Sequence, residues 1–326
     1  MKKILDFSKP VYVLAPLAGL TDLPFRSVVK KFGVDLTVSE MISSNALVHQ
    51  SAKSLKMLEK SPLENPYSVQ IAGADEEVIK GAVEILNEIE GIDIIDLNCG
   101  CPVPKIVSHG SGSSLLKDLD HMGMMIHTIK RYSTKPLTSV KIRIGFDEKK
   151  PVEIARVCEE SGADFIAVHG RTRSGKFKSE VDYDAIKKIK EAIDIPVVAN
   201  GDIDSYEKAQ RVLKYTGADG VMIGRGAIGK PWIFHQLKYG ERKIDPSLMR
   251  KIILEHFGQM INFYGDYGVV LFRKHLHTYS RAGYRNASEF RDRINRLSEP
   301  EAVRELIEKF FDPSNLLAMS LEKADI

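Results

Sequence analysis

Short apolar runs rich in β-branched residues recur along the first three quarters of the chain, each broken by glycine, proline or aspartate. They read VYVLAP (residues 11–16), LTVSEM (36–41), YSVQIAG (67–73), IIDLNCG (94–100), TSVKIRIG (138–145), FIAVHG (165–170), PVVANGD (196–202) and GVMIGRG (220–226). Runs of this length and composition predict buried strands. Between most of them lie stretches with apolar residues at helical spacing, such as PVEIARVCEESGAD and SYEKAQRVLKYTGAD. Eight βα units in series predict parallel strands joined by right-handed crossovers. The even rhythm fits a closed (β/α)8 TIM barrel better than an open doubly wound sheet, and no GxGxxG follows the first run. From about Asp245 the rhythm stops and helical periodicity takes over at Leu248, Ile252, Phe257, Ile261 and Tyr264. The expected division is an α/β barrel over residues 1–242 and a small C-terminal helical domain over 243–326, with a capping box at Ser298 and Glu301 opening its last helix.

Polar residues fall at the strand ends: Glu40, Gln70, Asn98, Lys141 with Arg143, His169, Asn200, and Arg225 just past the eighth run. In a barrel these share the mouth at which active sites of this fold are built. NGDI after the seventh run and IGRGAIG after the eighth place Gly201, Gly224 and Gly226 where backbone N–H groups can meet a phosphate, with Arg225 alongside. Gln70 can donate and accept, which suits a ring edge such as a flavin's, and Lys141 would either supply the cation for an anionic reduced ring or pair with Glu40 or Asp96.

Composition changes little in this picture. The chain has 326 residues and a formal net charge of +3, so any basic surface has to be local. One is: residues 271–296 carry seven Lys or Arg against two acids. Arg273, His277 and Arg281 would share a helical face, with Arg285 a turn further on if the helix passes Gly283; clustered guanidinium groups suit phosphates. Tyr279 and Tyr284 read as stacking aromatics or as core. Three cysteines form no disulfide framework, and no stretch is apolar enough to span a membrane, so a cytoplasmic protein is expected. Cys158 reads as core. Cys99 and Cys101 are too close for an unstrained disulfide and lack the partners of a metal site, and no metal is expected.

Taken together, APLAGLTDLPFR (15–26), VQIAG (69–73), DLNCGCP (96–102), VKIRIGF (140–146), VHGRTR (168–173), ANGDI (199–203) and MIGRGA (222–227) resemble the tRNA-dihydrouridine synthases over about residues 10–312. Those enzymes use FMN in a barrel with a C-terminal helical domain and reduce the C5=C6 bond of particular uridines in tRNA with NADPH. The resemblance implies that Pro16, Leu17, Ala18, Gln70, Lys141, His169, Asn200, Gly201, Asp202, Gly224 and Arg225 hold FMN and that Cys101 is the proton donor. Asn98, Arg143, Arg171 and Arg173 would face the uridine or its RNA, and Arg273, Lys274, His277, Arg281 and Arg285 would grip tRNA. NADPH over NADH comes from the resemblance alone, and no obligate protein partner is evident. Leu17 and Phe146 depart from the usual methionine and tryptophan, both apolar exchanges. The chemistry suits a thiol, which is mostly protonated at neutral pH and can act as a general acid. The glycine- and serine-rich stretch after Cys101 is expected to be a mobile flap. Competing readings are another FMN barrel, of the dihydroorotate dehydrogenase or enoate reductase kind, and a flavin-free RNA-binding protein.

Overall fold

The computed structural model describes residues 4–175, 179–240, 243–281 and 283–317. Among these, nine strands form one sheet: β1 (Val11–Leu14), β2 (Leu36–Val38), β3 (Ile42–Ser43), β4 (Tyr67–Ala72), β5 (Ile94–Cys99), β6 (Leu137–Arg143), β7 (Phe165–His169), β8 (Val197–Asn200) and β9 (Gly220–Ile223). All pairings between them are parallel. β1 pairs β9 on one side and β2 on the other, and β2 pairs β4, so eight strands close a barrel.

The expected second strand, 36–41, is interrupted. Val38 ends β2, and β3 takes up pairing with β4 at Ile42↔Ile71. In the gap the Ser39 hydroxyl accepts the Gln70 backbone N–H at 2.9 Å, and the Glu40 carboxylate turns to accept the Gly19 N–H. Glu40 thus braces the β1 loop.

The helices are α1 (Leu23–Lys30), α2 (Ser44–Val48), α3 (Ala52–Lys56), α4 (Glu76–Asn87), α5 (Pro104–Val107), α6 (Leu119–Tyr132), α7 (Pro151–Glu160), α8 (Tyr183–Ala192), α9 (Tyr206–Thr216), α10 (Ile233–Tyr239), α11 (Pro246–Tyr264), α12 (Tyr267–Tyr279), α13 (Ala287–Arg296) and α14 (Pro300–Phe310). Barrel helices start where sequence-local caps permit: Asp22, Asp75, Asp182 and Ser205 each accept a backbone N–H of the first turn. Fully buried isoleucines, leucines and valines of strands and helices make the core between sheet and helix ring.

The helical annex has its own core of Ile253, Phe257, Met260, Phe272, Leu276, Phe290 and Phe311, but Val28 of α1 and Trp232 belong to the same cluster. It is packed onto the barrel through shared apolar surface. The expected boundary at residue 242 lies outside the described residues. Three details differ from expectation. Leu248 is exposed, because the buried stripe of α11 runs through Met249, Ile252, Ile253, His256, Phe257 and Met260. α14 starts behind Glu299 with Pro300 as its first residue and no side-chain cap, so Ser298 lies one position outside the helix end and the capping box is not made. α12 ends at Tyr279, with Ser280 as its cap and Gly283 at φ +84°, so Arg281 and Arg285 are off the helix.

Candidate functional site

Ladder register sets the mouth. Gln70 pairs with Asp96, Asn98 with Lys141, Arg143 with His169, and His169 with Asn200, so polar side chains from five consecutive barrel strands meet at their C-terminal ends. They enclose a cavity of about 640 Å³, a size usual for small-molecule and cofactor sites. Pro16, Leu17, Ala18, Gln70, Lys141, His169, Asn200, Gly201, Asp202, Gly224 and Arg225 all line it, as do Asn98, Cys101 and Arg143. Met41, Met222 and Val103 add apolar walls that the strand-end pattern does not reveal.

One wall is a continuous hydrogen-bond chain. The buried Asp96 carboxylate accepts Ser139 Oγ–H at 2.6 Å and Gln70 Nε2–H at 2.6 Å. Gln70 Oε1 accepts from Asn98 Nδ2 at 2.8 Å, and Asn98 Oδ1 accepts the backbone N–H groups of Gly100 at 3.1 Å and Cys101 at 2.9 Å. The carboxylate fixes which way the Gln70 amide faces, Gln70 fixes Asn98, and Asn98 holds the turn that presents Cys101. Burial pushes the Asp96 carboxyl up to about 6, against the hydrogen bonds from Ser139 and Gln70. Asp96 is absent from the strand-end reading, although it stands two residues before Asn98 and therefore on the same strand face. Cys101 is half-buried and free, while Cys99 and Cys158 are fully buried, with thiols that burial pushes up.

The other wall is cationic. Lys141 donates to Asn200 Oδ1 at 3.2 Å, and burial, helped by Arg143, lowers its ammonium to about 8. Arg143, 2% exposed, donates to Gly100 O at 2.8 Å and Thr172 O at 2.9 Å, so it also braces the cysteine turn. Burial, with Lys141, Arg143, Arg171 and Arg225 around it, drives His169 down to about 2 and keeps it neutral. Burial is the main cause of that shift and says nothing about the sign of a ligand; the four cations gathered round the ring are what suits an anion. Arg171 does not line the cavity: it grips Asp202 through two bonds of 3.1 and 2.5 Å, and Arg225 reaches Asp202 at 2.6 Å. Asp202 therefore orders two arginines beside the glycine loop. Gly201, at φ +133°, has its carbonyl pinned by the Tyr183 hydroxyl at 2.6 Å. At Gly224 a Cβ would meet only Ala15 and Leu17 at ordinary contact distance, so the backbone there stands open to the cavity.

The remaining candidates disperse. Arg173 stacks over Phe146 at 4.8 Å, with Lys117 over the same ring at 4.2 Å. Arg273 donates to Leu297 O and His277 bonds Asn295, both towards α13 and its end, whereas Lys274 reaches across to Gly19 on the β1 loop. Arg281 and Arg285 are exposed, and Tyr279 and Tyr284 are buried in the annex core. After Cys101 the chain forms α5 with exposed residues and then a turn that buries Ser113, Leu115 and Leu116, so the expected flap is anchored at its far end. Among the described residues no His, Cys, Asp and Glu cluster could hold a metal, and no helix is long and apolar enough to cross a membrane.

The model of the family described as dihydrouridine synthase (Dus) matches residues 13–315. A probable tRNA-dihydrouridine synthase of Helicobacter pylori is 51% identical over 314 residues, covering 96% of this chain and 95% of that protein. A probable tRNA-dihydrouridine synthase of Rickettsia conorii is 42% identical, with 92% of each chain covered. The tRNA-dihydrouridine synthase B of Pseudomonas putida is 41% identical over 96% of this chain and 94% of its own.

Proposed function

Since the chain belongs to the dihydrouridine synthase family, we propose that it reduces the C5=C6 bond of particular uridines in tRNA, with FMN in the barrel mouth and NAD(P)H as reductant. The observation that carries this reading is the juxtaposition of an anion-drawing glycine loop with a free thiol across one cavity. FMN fits the residues present. Its phosphate would lie against Gly201, Gly224 and Arg225, its ring edge against Gln70 and Lys141, and its apolar body against Pro16, Leu17 and Met222. When bound, FMN supplies a hydride for C6 of the uracil.

The protein's own groups do the rest. Gln70 keeps one N–H and one lone pair beyond those committed to Asp96 and Asn98, enough for a ring with alternating donors and acceptors. Lys141 places positive charge where negative charge grows on a reduced ring. Cys101 holds a proton at Sγ for C5, on a turn that Asn98 and Arg143 keep in place. A barrel cannot read a stacked base, so the uridine has to be presented outward from the RNA, and the basic annex supplies a grip for the folded molecule around it.

Cys101→Ala tests the assignment. The purified variant should keep its yellow colour and oxidise NAD(P)H, while dihydrouridine formation in tRNA falls at least a hundredfold, within the range of a lost general acid. Product formation at the wild-type rate would refute the role given to Cys101.

A further inference from the structure

A second concavity, of about 670 Å³, opens on the outside of the barrel between α8 and α9 and shares no lining residue with the mouth cavity. Its walls are Tyr183, Lys187, Lys208, Arg211, Lys214 and Tyr215. Lys187 has Glu191 at 3.9 Å and lies over the Tyr215 ring at 5.7 Å. Among the described residues Lys208, Arg211 and Lys214 form no ion pair, and the acid engaged at this groove, Asp184, accepts the Tyr215 hydroxyl. Among the described residues Arg211 and Lys214 have no side-chain hydrogen bond or ion pair and are exposed, and the inward face of α9 is made by Ala209, Val212, Leu213 and Thr216.

Two features say what such a groove would take. From Lys208 to Lys214 the helix rises about 9 Å, so the charges form a line instead of converging on a point. A single phosphate is held by converging donors; a line of cations beside the exposed ring of Tyr215 matches successive phosphates and a base of a strand. The groove also joins the mouth. Tyr183, on its wall, bonds the carbonyl of Gly201 at 2.6 Å. Asp202, the next residue, is held below the usual carboxylate range first by Arg171, with Arg225 and Lys208 adding to it. Tyr183 thus ties the groove wall to the glycine loop, and Asp202 stands between Lys208 and the two arginines of the mouth.

We infer that the α8–α9 groove is a second contact surface for the tRNA backbone, carrying the RNA from the barrel mouth down the outer wall, a reading that rests on the proposed tRNA substrate. The annex packs on α1, and only α10 stands between α1 and α9 round the barrel, so the groove would extend the annex's grip along the same side of the barrel.

The test uses the full-length flavoprotein and unmodified tRNA, comparing wild type with the double variant Arg211→Glu/Lys214→Glu and with Arg211→Gln/Lys214→Gln. Neither residue touches the mouth. Flavin content and NAD(P)H oxidation without tRNA report that each variant is folded and loaded. The expected result is about tenfold or weaker tRNA binding for the charge reversal at moderate salt, a smaller loss for the neutral pair, and a salt slope shallower by roughly one to two. Wild-type affinity and slope in both variants overturn the groove while leaving the tRNA reading intact. An unchanged tRNA affinity with a raised KM for NAD(P)H overturns it in favour of a nucleotide site. Wild-type protein that neither binds tRNA nor forms dihydrouridine overturns the substrate reading itself, and the groove with it.

Discussion

Lys141 shows how one residue's surroundings set a chemical range. Its ammonium is buried among strand ends with Arg143 beside it and comes down to about 8, so it is charged at neutral pH and loses its charge within the alkaline range where most lysines keep theirs. If that charge supports the reduced ring, NAD(P)H oxidation should fall as pH rises through about 8. Measuring this in Cys101→Ala removes the thiol from the profile, and Lys141→Met in that background should be slow and flat. A wild-type-like rate held from pH 7 to 9 would sever Lys141 from the redox step. The same scale explains Asp202, whose carboxylate looks out of place beside an anion site. It is there for Arg171 and Arg225, and only its bonds to them reveal it.

Between elements, the annex carries an unusual pair. His256 of α11 and His275 of α12 touch edge to face at 4.6 Å and are both fully buried; His275 stacks on Phe25 and Phe272, whereas His256 lies tilted against Phe25 and edge-on to Phe272. His256 reaches the Tyr279 hydroxyl at 3.1 Å, while neither His275 ring nitrogen has a partner among the described residues. Burial lowers both, His275 to about 3. A histidine whose folded value lies below its unfolded value of about 6.5 supports the fold fully above 6.5, and that support is lost as pH falls below it, because only the unfolded chain takes the proton readily. Asp22 and Asp96, raised to about 6 by burial, act in the opposite sense. The histidine contribution is isolated by comparing wild type with His275→Phe, which keeps the stacking. Between pH 7 and 4.5 the variant's Tm should decline less than the wild type's; parallel curves would mean that His275 is not the titrating group.

For the whole molecule, the annex is bound to the barrel by more than a linker. Val28 and Trp232 lie in its core, Tyr264 donates to Asp22, Lys56 donates to the Phe263 carbonyl, and Lys31 pairs with Glu255 at 2.5 Å. The exposed ion pair contributes little, and the shared apolar surface contributes most. Truncation after residue 242 should therefore yield an aggregating barrel with uncovered Val28 and Trp232, read as insoluble expression or dye binding to apolar surface. A soluble, monomeric, flavin-bound truncation would show the two parts to be independent.

Along the chain, the βα rhythm, the closed barrel and the strand-end ring of Gln70, Asn98, Lys141, His169 and Asn200 were legible in the order of residues, because continuous apolar β-branched runs and glycine or proline breaks are local properties. The motifs around Cys101, Gly201 and Gly224 were legible for the same reason: tight turns demand particular residues at particular places. What folding alone decided depends on residues far apart in sequence. The break of the second strand at Ser39 answers to Gln70 and Gly19. The end of α12 before Arg281 separates charges that helical spacing had joined, and Arg171 turns from the cavity to Asp202. The basic groove between α8 and α9 exists only because crossovers after neighbouring strands lay two helices side by side, bringing Lys187 and Tyr183 of one against Lys208, Arg211 and Lys214 of the other. Charge and periodicity are written along the chain, but which charges face each other is settled by packing.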